Sequence, residues 1–169
     1  DPVSETVPWP CRGSMLPPQL LEGLSPEEQR AEGYGKKLVD QAIREFKPDV
    51  YIGAEDIWAF NEFHHKPWWN KVNTMIWTTL DSLPILPHAV EYAPKIKNYY
   101  VWSPFAEEAF KKMGYNHVKT LRGSLDTSNF FRITDKKKER LREANGLSNE
   151  YVIGFVFRNQ LRKSVPNLL

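Results

Sequence analysis

The sequence has one cysteine in 169 residues, so Cys11 has no partner within the chain and a disulfide-braced scaffold is excluded. No apolar run approaches the roughly 18 residues that a membrane-spanning helix needs. Charge of one sign is missing too. Twenty-three Lys and Arg stand against twenty-one Asp and Glu, a formal net charge of +2, which gives no general attraction to nucleic acid. The start has neither a basic leader nor an apolar core, so it does not read as a signal peptide. Aromatic residues, by contrast, are plentiful at 13%, more than a chain without a packed core would carry. The expectation is a globular protein of a reducing, cytoplasmic compartment.

Pro2, Pro8, Pro10, Pro17 and Pro18 make residues 1–24 an irregular lead-in. Ser25-Pro26-Glu27-Glu28 is a helix start of capping-box type. Its apolar stripe runs through Ala31, Tyr34, Leu38, Ala42 and Phe46, widened by Val39 and Ile43 and weakened by Gly33 and Gly35. Lys47-Pro48 stops it, and Asp49–Gly53 reads as a strand.

Further strands are expected at 74–79, 98–103 and 117–121. Helices are expected over Pro87–Lys95 and from Ser103-Pro104 to Gly114, the second burying Phe105, Ala106, Ala109, Phe110 and Met113. Short apolar strands alternating with helices predict an α/β fold, with a Rossmann-like parallel sheet and flanking helices over residues 25–123. Residues 124–133 break the pattern and read as an interdomain hinge. A charged helix is expected over Asp135–Asn145, then a strand over Tyr151–Phe157 and a helix that stops short at Leu169. Residues 134–169 thus read as the start of a second Rossmann-like domain, and the chain as a fragment of something longer.

Arg158 and Lys163 flank the turn after that last strand. In open α/β sheets, ligands sit beyond the carboxyl ends of strands, so a guanidinium and an ammonium there suit a diphosphate. Read from composition alone, they are equally solvated loop cations. Asp56 and Asp81 follow the strands at 49–53 and 74–79. Each either faces a cleft, where a carboxylate orients an acceptor hydroxyl, or caps the following turn. Trp77 reads as core, and Trp68-Trp69 beside Pro67 as a surface pair. His64-His65 lacks ligand partners at usual spacings, and the Lys136–Lys138 run is interleaved with acids, so neither a metal site nor a nucleic-acid site is expected.

The segment Phe155–Leu169, containing Arg158-Asn159-Gln160-Leu161-Arg162-Lys163, resembles the opening strand and turn of the donor domain in retaining glycosyltransferases of the GT-B fold, group 1 (family 4). Arg122-Gly123-Ser124-Leu125-Asp126, followed by Phe130, is similar to that family's hinge pattern, although Arg122 stands where histidine is usual and Ser124-Leu125 replaces a small residue plus valine. Lys47-Pro48-Asp49-Val50, Asp56-Ile57-Trp58, Leu80-Asp81-Ser82-Leu83-Pro84 and Ser103-Pro104-Phe105-Ala106 resemble its acceptor domain, in order.

The resemblance implies a glycosyltransferase moving a sugar from a nucleotide-diphosphate-sugar to a carbohydrate or other hydroxyl acceptor, with retention. It implies Arg158 and Lys163 on the donor diphosphate, with no other cofactor. The absence of an Asp-x-Asp triplet agrees with a metal-independent enzyme. The second donor motif, a pair of glutamates, would lie past Leu169, so this chain alone is expected to be inactive. Peripheral membrane contact stays compatible with this reading. The alternatives are another GT-B enzyme (a sugar-nucleotide epimerase or a phosphorylase) or a non-catalytic α/β binding module using Trp68 and Trp69 as its contact surface.

Overall fold

The computed structural model describes residues 8–80, 82–157 and 163–164. Two compact units divide the chain, Asp1–Gly123 and Ser124–Leu169.

In the first unit, a single turn, α1 (Pro18–Leu21), interrupts the irregular lead-in. The capping box predicted at Ser25 forms. The Ser25 hydroxyl accepts from the Glu28 amide and the Glu28 carboxylate accepts from the Ser25 amide, which starts α2 (Pro26–Gly33). The single helix expected from there to Phe46 is instead two. Gly35 takes φ +75°, a left-handed conformation that ends α2, and the chain restarts as α3 (Leu38–Phe46). Rotating the second half changes which residues face inward. Val39 and Ile43 pack on the core, while Tyr34 and Phe46, placed on the buried stripe by sequence, are exposed.

Four strands follow: β1 (Val50–Ala54), β2 (Asn73–Thr78), β3 (Asn98–Val101) and β4 (Lys119–Thr120). All pair in parallel, in the order β1-β2-β3-β4, with Val50 opposite Asn73, Met75 opposite Asn98 and Tyr100 opposite Lys119. The fold is therefore α/β with an all-parallel sheet. The crossovers are two 3₁₀ turns (Ile57–Phe60 and Phe63–His65), then α4 (Pro87–Tyr92) with its 3₁₀ extension Ala93–Lys95, then α5 (Pro104–Lys112).

Strand order that advances by one each time has a consequence. Parallel crossovers are right-handed, so successive ones in one direction all fall on the same face. Gly53, Thr74, Ile76, Thr78, Tyr99 and Val101 alternate onto the buried face, whereas Val50 and Ile52 are exposed and Met75, Trp77 and Tyr100 are half-buried on the other. A sheet covered on both faces would have hidden both sets.

The core is aromatic. Phe63, Tyr99 and Phe110 are among the largest fully buried side chains, and Tyr99 donates or accepts a buried hydroxyl–hydroxyl bond with Thr78 at 3.1 Å. Burial pushes the Tyr99 phenol up to about 12. On α5 the buried residues are Ala106, Ala109 and Phe110; Phe105 and Met113, assigned to the same face by sequence, are exposed.

Gly53 is required by packing. A Cβ there would lie 2.5 Å from Phe60 Cε1 and 2.9 Å from Ile76 Cδ1, both on buried side chains. Gly53→Ala is expected to destabilise the first unit by about 1–3 kcal/mol, the usual cost of overpacking. A urea titration reads this as a lowered midpoint at unchanged slope, and an unshifted midpoint would mean the Phe60 ring turns aside freely.

In the second unit, Asp126 folds the 126–130 segment around itself. Its carboxylate accepts from the Ser128 amide at 2.9 Å, the Ser128 hydroxyl at 2.6 Å and Asn129 Nδ2 at 2.6 Å, and these bonds hold its carboxyl below the usual range. Thr134 caps α6 (Asp135–Ala144), and Gly146 at φ +66° closes it. The strand expected over Tyr151–Phe157 is not formed. These residues pair with no strand among the described residues, and their apolar side chains are exposed. A strand's backbone bonds are made by its neighbour, so β-type composition without a paired edge leaves an open segment.

Candidate functional site

The carboxyl end of the parallel sheet gathers four of the segments singled out in the sequence. Asp56-Ile57-Trp58 follows β1, Leu80 and Ser82–Pro84 follow β2, Ser103–Ala106 follows β3, and Arg122-Gly123 follows β4. Each strand delivers one loop to the same edge because all four run the same way. That edge is where open α/β sheets place their ligands.

Asp56 is half-buried at the head of the 3₁₀ turn Ile57–Phe60, but its side chain makes no capping bond. Its carboxylate instead accepts from the Thr79 hydroxyl at 2.5 Å, tying the end of β1 to the end of β2. The backbone amide of Asp56 is taken by Glu55 Oε1 at 3.0 Å. One carboxylate oxygen is thus fixed by Thr79, and Asp56 Oδ2 has no hydrogen bond among the described residues. Such a carboxylate can accept a bond from a hydroxyl. Asp81 and Arg158 lie outside the described residues. Lys163 is half-buried in the second unit.

The indoles change places relative to expectation. Trp68 and Trp69, read as a surface pair, are buried in the core. Trp68 Nε1 donates to Asp40 Oδ1 at 2.6 Å and Trp69 Nε1 to the Lys95 carbonyl at 3.3 Å, and satisfying those two N–H groups is what permits their burial. A contact surface built on this pair is thereby excluded. Trp77, read as core, sits half-buried on the open face and stacks on Trp102 with centroids 4.7 Å apart and planes 17° apart. Trp77 Nε1 is held by the Leu121 carbonyl at 2.7 Å. Gly123 lies against this ring, where a Cβ would come 3.4 Å from Trp102. Sequence reasoning missed Trp102. The available signal was its spacing of two from Tyr100, which puts it on the face of Trp77.

The His64 and His65 rings lie with centroids 3.9 Å apart and planes tilted by 45°, and His64 Nε2 lies 3.2 Å from the Lys95 ammonium. Burial, then the Lys95 and His65 charges, hold the His64 imidazole below its ordinary range, which favours the neutral ring. Among the described residues, no group of three or more His, Cys, Asp or Glu is arranged to hold a metal ion, and no helix is long and apolar enough to cross a membrane.

No family model, curated protein or solved structure matches this chain.

Proposed function

We propose that this chain belongs to a GT-B glycosyltransferase, carrying part of the acceptor-side Rossmann-like domain, the hinge and the opening of the nucleotide-sugar domain. The observation that carries the reading is the gathering of the family-like segments after β1, β2, β3 and β4 at one edge of one sheet. All four segments follow strands that run the same way, so the sheet brings them together at its carboxyl edge, where open α/β folds bind ligands.

In this reading the enzyme transfers a sugar from a nucleotide-diphosphate-sugar to an acceptor hydroxyl, with retention and without a metal. Asp56, steadied by Thr79, accepts a hydrogen bond from the acceptor and orients its oxygen. Arg158 and Lys163 take the diphosphate. Negative charge grows on that leaving group as the glycosidic bond breaks, so fixed cations there stabilise the transition state more than the ground state. Asp81 is a second acceptor-side carboxylate.

Arg158→Ala is expected to weaken nucleotide-diphosphate binding by about 1.5–3 kcal/mol, the value of a charge-assisted hydrogen bond. Calorimetry on an enzyme carrying both domains, with uridine, guanosine and adenosine diphosphates, reads it. Equal affinity in the variant would remove Arg158 from the donor site. No affinity for any of the three in the parent protein would remove the glycosyltransferase reading itself.

A further inference from the structure

A cavity of about 220 Å³ lies in the first unit between α2, the 3₁₀ turn Ile57–Phe60 and the start of α4, and none of the roles above uses it. Tyr34 and Trp58 form its aromatic wall. They meet edge to face, with centroids 4.7 Å apart and planes at 86°, yet keep 39% and 37% of their surfaces in solvent. Glu27, Arg30, Asn61 and His88 complete the lining.

The polar lining is largely unspent. Among the described residues, Glu27 and Arg30 enter no ion pair or side-chain hydrogen bond, although they stand one turn apart on α2. His88 meets the Tyr92 ring and feels the Glu91 carboxylate. Asn61 Oδ1 accepts from the Tyr92 hydroxyl, which orients the amide, and its Nδ2 has no hydrogen bond among the described residues. Lys36, also on the cavity, is neutralised by Glu62 at 2.7 Å.

These features select a ligand. A carboxylate only accepts, a guanidinium and an amide nitrogen only donate, and an imidazole does either, so the lining offers both partners that a hydroxyl wants. Glu27 against Arg30, and Glu62 against Lys36, leave no net positive field for a phosphate. Exposed indole and phenol faces suit the C–H face of a sugar ring. The volume falls below the roughly 300–1,000 Å³ of pockets for drug-sized molecules, which excludes a nucleotide-sugar and admits one ring.

We propose that this cavity binds a single neutral pyranose unit, stacked on Trp58 and hydrogen-bonded by Glu27, Arg30 and Asn61. The site stands apart from the donor reading, because it requires no nucleotide and none of residues 124–169.

The test is saturation-transfer NMR on the full chain, using methyl glucoside, methyl galactoside, methyl mannoside and N-acetylglucosamine as probes, with uridine diphosphate measured separately. At least one glycoside is expected to receive saturation at its ring C–H protons. Its affinity is expected to fall at least tenfold in Trp58→Ala and in Glu27→Gln, with circular dichroism unchanged. Both positions are exposed, so neither substitution removes core. Binding of none of the four, or binding undiminished in Glu27→Gln and Trp58→Ala, would overturn the proposal. A glycoside response without a uridine diphosphate response would sustain the cavity, and the donor site is judged separately by the calorimetry on the two-domain enzyme.

Discussion

Phe110→Ala is expected to cost the first unit about 3–5 kcal/mol, the range for emptying a buried phenyl site. Phe110 has no exposed surface and lies where α5 meets the sheet, edge to face with Tyr99 at 5.3 Å and with Tyr115 at 6.2 Å. Its removal forfeits the transfer energy of the ring and leaves a hole beside Tyr99 and Tyr115 in the core. Domain stabilities run to about 5–15 kcal/mol, so the variant would spend a substantial part of the margin. Urea unfolding followed by tryptophan fluorescence is the measurement. A midpoint within error of the parent would mean that α5 is not held through this ring.

Asp40→Ala is expected to destabilise by about 2–4 kcal/mol, through desolvated partners left alone and not through a lost cavity wall. Asp40, on α3, accepts from Trp68 Nε1 at 2.6 Å and from Lys66 Nζ at 2.8 Å, and Lys66 keeps only 12% of its side chain in solvent. Without the carboxylate, a nearly buried ammonium loses its counter-charge and a buried indole loses its acceptor. Lys66 retains a bond to the Lys36 carbonyl at 2.7 Å, which keeps the estimate below that for a fully isolated charge. Asp40→Asn separates the two losses. It can still serve Trp68 but not the charge of Lys66, so it should fall between parent and alanine variant in thermal unfolding. An asparagine variant as unstable as alanine would assign the whole effect to the ion pair.

Much of the fold was legible because its signals are local. The box at Ser25, the serine before Pro104 and the β-branched runs that became β1 and β2 each depend on neighbours a few residues away. What escaped depends on distant partners. Trp68 can be buried because Asp40, twenty-eight residues earlier, accepts a hydrogen bond from its indole N–H. Residues 57–72 have neither helical nor strand periodicity, yet their 3₁₀ turns place Ile57, Phe60 and Phe63 in the core. Val50 and Tyr151 look alike as strand formers, and only the first has a strand to pair with among the described residues. For the site, Asp56 and its loop followed from position after a strand. Its partner Thr79, and the stack of Trp77 on Trp102, arise from two chain segments meeting and carry no mark in either one.

The stepwise order of the sheet also bears on how the first unit can be assembled. Among the described strands, each joins the one made just before it across a single crossover, so none of them waits for a distant stretch to return and wedge between two others. A ribosome could release such a unit layer by layer, each new strand finding its template already in place. The growing rim would be the vulnerable surface at each stage, and β4, its last and shortest strip, would lock the earlier additions by engaging Glu107 of α5 through the Thr120 amide at 2.7 Å.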